Sequence, residues 1–78
     1  MKGRKMVSEI GEAAGIIWRA LYYFQILEFQ DGMTVNHLKN DTGLPTSLLY
    51  EGLGWLAREG KIELSGQAKN VRVFLKGM

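Results

Sequence analysis

The sequence predicts a mostly helical α+β domain, three helices closed by a short β-hairpin, and three observations carry that prediction. Leu49, Leu53 and Leu56 recur at i, i+4 and i+7, which is one face of a helix. Pro45 stands at the start of that helix, where its missing N–H costs nothing, and Gly60 stands at the end, where a left-handed cap is usual. Lys61-Ile62-Glu63-Leu64 follows at once, alternating charged and apolar residues at the strand period. A helix that ends in Glu-Gly and turns directly into a short amphipathic strand is the core of a winged helix-turn-helix.

The remaining elements fit that frame in chain order. Residues 1–7 read as a flexible basic tail and residues 8–78 as the winged-helix domain. Ser8 is the N-cap candidate, with Glu9 and Glu12 suiting the positive end of a helix. The first helix is expected to run to about Phe29, with Ile10, Ala14, Ile17, Leu21 and Phe24 as its inward stripe. Its other faces should be polar, yet they carry Ile16, Tyr22, Tyr23 and Ile26 around Glu12, Gly15 and Arg19. A helix apolar nearly all round is buried on more than one side, so these four residues are the expected interface of a homodimer. Gly11 and Gly15 are expected to let another helix come close beside Ala14.

Gln30-Asp31-Gly32 is a turn signal, and Met33-Thr34 suits a short strand. Val35 to Asp41 reads as a second helix with Val35 and Leu38 inward, capped by either Thr34 or Asn36 and ended by Asp41-Thr42-Gly43. Thr34 to Arg58 then has the length of a helix-turn-helix. In the hairpin, Ile62 and Leu64 should share one side. Ser65 to Asn70 forms the tip, and Val71, Val73 and Leu75 alternate with Arg72, Phe74 and Lys76. The predicted core is Ile10, Ile17, Leu21, Leu38, Leu49, Leu53, Leu56, Ile62 and Val73.

Composition narrows the possibilities. A chain of 78 residues holds one domain. It has no cysteine, so disulfides and the usual zinc sites are excluded and association is the remaining aid to a small core. Ten basic and eight acidic side chains give a formal charge of +2, too small to announce nucleic-acid binding. The basic N-terminus lacks a small-residue cleavage site after its apolar run and does not read as a signal peptide. The run from Gly15 to Leu27 contains Arg19 and Gln25 and is too short to span a bilayer, so a cytoplasmic protein is expected.

IGEAAGIIW at residues 10–18 and GLGWLAREGKIEL at 52–64 resemble a family of small prokaryotic winged-helix proteins of unknown function. The similarity covers most of the chain. It implies the winged-helix fold, with dimers among the members. One departure is the stretch YYFQILEFQDGMTVNH, which is longer and more apolar than the polar turn expected between the first two helices.

No catalytic set is visible, and neither a cofactor nor a metal is expected. His37 is the single histidine and reads as a surface residue; Gly11 and Gly15 do not follow a strand and form no phosphate loop. The functional reading is a DNA-binding, transcription-regulator-like homodimer. Residues near the N-terminus of the third helix enter the groove in such folds, here Thr46, Ser47 and Tyr50. Lys69 and Arg72 would meet the phosphate backbone, with Lys39 and Lys76 as further cations. Glu51 would repel phosphate, and none of the groove-facing residues is Lys or Arg. The alternative is therefore an interaction module that keeps the fold without binding DNA. Gly52 and Gly54 inside the third helix each cost about 1 kcal/mol relative to alanine, which close packing on the first helix would offset.

Overall fold

The computed structural model describes residues 2–28, 31–66 and 71–76, with side chains described from Ser8 onward. Among them the order is α1 (Lys2–Tyr22), a π-helical turn (Tyr23–Leu27), β1 (Met33–Thr34), α2 (Val35–Thr42), α3 (Thr46–Arg58), β2 (Ile62–Ser65) and β3 (Arg72–Leu75). This is a winged helix-turn-helix: three helices against a small antiparallel sheet in the order β1-β3-β2. The sheet pairs Met33 with Val73 through β1 and β3, and Ile62 with Leu75 through β2 and β3. No described helix is long and apolar enough to cross a membrane.

The first helix begins earlier than its cap signal suggests. The backbone is already helical at Lys2, so Ser8 lies within α1 and the segment expected as a tail is helical from residue 2. Lysine, arginine and methionine all favour helix, and their propensity outweighs the local cap chemistry of one serine. At the other end, the Glu28 N–H donates to the Tyr23 carbonyl at 3.0 Å, closing one wide turn. Helical backbone therefore ends at Leu27; the expected end at Phe29 lies outside the described residues.

The wide turn has a visible packing consequence. The Gln25 Oε1 accepts the Leu75 N–H at 2.9 Å, across 50 residues of chain. Strand β1 is two residues long and pairs only with Arg72 and Val73, so it ends short of Leu75. Gln25 supplies the acceptor that the missing strand would have supplied.

Caps set the two later helices. Thr34 rather than Asn36 caps α2, its hydroxyl accepting the His37 N–H at 3.0 Å. The Gly43 N–H closes the helix onto the Lys39 carbonyl at 3.0 Å. Helix α3 ends with Gly60 at φ 70°, a conformation that costs an L side chain energy. Its N–H donates to the Ala57 carbonyl at 3.1 Å and the Lys61 N–H to the Leu56 carbonyl at 3.0 Å, the paired bonds of a Schellman turn. That turn aims the chain straight into β2.

The core draws on almost every element. Ile17 and Leu21 of α1, Met33 of β1, Leu38 of α2, Leu49 of α3 and Val73 of β3 are its largest fully buried side chains. Each contributes on the order of 1.5–3 kcal/mol of apolar burial. Leu53, Leu56 and Ile62 are buried as expected, while Ile10 is only half-buried at the edge. Leu64 departs from the expected pattern and stays exposed. Ile62, two residues earlier on the same strand, is buried in the core, so Leu64 extends past the edge of the core toward the end of β2.

Helix α1 lies closely against α3, and Gly52 permits it. A Cβ at Gly52 would stand 2.7 Å from the Ile17 Cδ1 and 3.3 Å from the Ala14 backbone nitrogen. The glycines expected to admit this approach, Gly11 and Gly15, instead have nothing within 4 Å of an added Cβ. The notch lies on α3 and the small residues filling it are Ala13 and Ala14, both buried.

Candidate nucleic-acid interface

The leucine stripe of α3 turns Leu49, Leu53 and Leu56 inward, and the opposite side of the same helix is consequently exposed. At its N-terminus Thr46, Ser47 and Tyr50 are exposed together, Tyr50 at 57%. No side chain caps this end, and the first bond back is from the Leu49 N–H to the Pro45 carbonyl at 2.9 Å. The amide groups of the preceding turn point out of the helix with no intrahelical acceptor. An uncapped helix start carries partial positive charge and can donate to a phosphate. Glu51 is exposed beside Tyr50 and opposes that field.

The cations are more dispersed than the sequence suggests. Arg72 donates from Nη1 to the Gly32 carbonyl at 2.9 Å, which ties its guanidinium to the turn before β1. It shares a polar cleft of about 360 Å³ with His37 and Asp31, and a guanidinium has further N–H groups left for an anion. Lys76 lies in a groove beside Leu56 and Glu59, at the far end of α3 from Thr46, and so leaves the proposed set. Lys39 is exposed on α2. Lys69 lies outside the described residues. Arg58 is exposed as well, but it is the last residue of α3, at the same far end as Lys76, and stays outside the set for the same reason.

His37 is exposed as expected, with its ring edge-on to Phe24 at 5.0 Å. Among the described residues no group of three or more His, Cys, Asp or Glu side chains is placed to hold a metal ion.

The residues expected at a dimer interface divide into two pairs. Ile16 and Tyr23 are exposed, at 37% and 64%. Tyr22 stacks on Trp18 with ring centroids 5.3 Å apart, and Tyr22 and Ile26 both pack partly against the core. The π turn carries part of the excess apolar surface inward, which the sequence reading missed. It leaves Leu27 exposed in exchange.

Residues 1–75 match the family model described as Winged helix-turn-helix domain (DUF2582). The solution NMR structure of protein BT2368 from Bacteroides thetaiotaomicron is similar, with a TM-score of 0.69 and 26% sequence identity, over 87% of this chain and 76% of that one. No curated protein matches the chain.

Proposed function

The chain belongs to the DUF2582 family of winged helix-turn-helix domains, and on that premise we propose that it is a DNA-binding, transcription-regulator-like module that acts as a homodimer. The observation that supports this most is the start of α3: Thr46, Ser47 and Tyr50 exposed together around uncapped amides. Hydroxyls and helix-start amides are suitable donors to phosphate and base edges. Two copies would present two such helices to two half-sites. With Arg72 partly engaged and few other cations nearby, affinity for generic duplex is micromolar or weaker and falls steeply with salt.

The experiment is fluorescence anisotropy of a labelled generic duplex at low and high salt, with wild type and Tyr50→Ala. Salt-sensitive binding that weakens in the variant is expected. No binding at low salt overturns the reading. In that case the second reading gains, an interaction module without DNA binding. Glu51 on the exposed face and the exposed Tyr50 and Leu64 side chains favour that reading.

A further inference from the structure

Helix α1 buries Ala13, Ala14, Ile17 and Leu21 and turns a second face to solvent. By helical spacing that face carries Ser8, Glu12, Gly15, Ile16 and Arg19, and Tyr23 continues it at the start of the π turn; all six are exposed. Two features of the face lack a use within one chain. Glu12 and Arg19 are seven residues apart, about 10.5 Å along the axis, too far to pair with each other. Neither forms an ion pair among the described residues, where Lys61 with Glu59 is the pair present. The second feature is a stretch of exposed backbone without a side chain: a Cβ added at Gly15 meets nothing within 4 Å, and the exposed Ile16 stands directly beside it.

The order of these residues is symmetric in kind. Ser8 and Tyr23, Glu12 and Arg19, and Gly15 and Ile16 are each placed equally far from the Gly15–Ile16 peptide bond. We propose that this face is an antiparallel seam for a second copy of α1, related by a twofold axis through that bond; the proposal rests on the homodimer reading and specifies its geometry. In this arrangement Glu12 of each copy meets Arg19 of the other, giving two equivalent ion pairs. Ile16 of each copy sits over Gly15 of the other, and the missing Cβ lets the axes approach closely. The Tyr23 ring covers the second copy's Ser8 and closes each end of the seam.

Charge complementarity commits the occupant to a second copy. A face that carries its own countercharge at the symmetry-related position fits itself, which is what an isologous interface requires. A parallel pairing would set Glu12 against Glu12 and Arg19 against Arg19, a repulsive arrangement. The seam also differs from the interface expected from composition, because Tyr22 and Ile26 are half-buried in their own chain.

The test is sedimentation equilibrium of the full chain at micromolar concentration, with circular dichroism to confirm the helical fold of each variant. Wild type is expected to be a dimer. Glu12→Arg and Arg19→Glu each place like charges opposite one another and should weaken dimerisation at least about tenfold, while the double variant restores it. Gly15→Leu places its Cβ where nothing lies within 4 Å in the single chain and removes a helix-weakening glycine. It should keep or raise thermal stability of the monomer while dissociating the dimer. A dimer indifferent to both single charge reversals overturns the seam and leaves the homodimer reading standing. Singles that dissociate without rescue by the double overturn the antiparallel register. A monomeric wild type overturns both, and DNA binding is measured separately.

Discussion

Replacing Gly52 with alanine isolates the contact that holds α1 on α3. The new methyl would lie 2.7 Å from the Ile17 Cδ1, 3.3 Å from the Ala14 nitrogen and 3.4 Å from the Ala13 carbonyl carbon. The first neighbour is the end of a side chain and can rotate away. The other two are backbone, so relief requires the helices to separate by a few tenths of an ångström. Overpacking of this kind costs about 1–3 kcal/mol. Against it stands the gain in helix propensity from glycine to alanine, about 1 kcal/mol. Gly54, two residues on in the same helix, provides the control, since a Cβ there meets nothing within 4 Å. Propensity cancels between Gly52→Ala and Gly54→Ala, so their difference is the steric cost alone, about 1–3 kcal/mol. Urea denaturation followed by circular dichroism, at matched protein concentration, reads it as a lower midpoint for Gly52→Ala with an unchanged slope. For a domain this small the melting temperatures should differ by roughly 4–8 °C per kcal/mol. Equal midpoints for the two variants would refute the close-packing account.

Two further substitutions probe single hydrogen bonds. Thr34→Ala removes the cap of α2 and should cost about 0.5–2 kcal/mol in denaturant melts, with Thr34→Ser recovering most of it; equal losses would mean that the methyl rather than the hydroxyl matters. Gln25→Leu leaves the Leu75 N–H without its acceptor. The loss should be about 1–3 kcal/mol, with faster amide exchange at Leu75, and Gln25→Glu should retain an acceptor; an unchanged exchange rate would show that the bond is absent in solution.

The parts legible in the sequence were those set by local chemistry. The third helix, its leucine face and the Gly60 turn follow from apolar spacing and a glycine just past its end, so they could be placed before any contact was known. The short strand at Met33-Thr34 was also readable, but its partner was not. That β1 pairs with β3, which puts β3 at the centre of the sheet, is a long-range choice. The π turn at Tyr23–Leu27 has no compositional mark, yet within it Phe24 and Ile26 pack partly against the core while Tyr23 and Leu27 stay exposed. The exposure of Thr46, Ser47 and Tyr50 was legible because the inward leucine stripe of α3 leaves them on its other side. The cations resisted reading because their positions depend on distant partners: Arg72 on a carbonyl 40 residues away, and Lys76 on the end of α3.

The proposal that the start of α3 meets DNA is tested most directly by Thr46→Glu with Ser47→Glu. Acidic residues in the first turn favour the helix dipole, so the folded state should be as stable as wild type or slightly more so. The same charges face the phosphate backbone in the proposed complex. Anisotropy with a generic duplex at low salt should show wild-type binding in the micromolar range and a loss of at least about tenfold in the double variant. A double variant that folds normally and binds as wild type does would contradict the assignment of this face.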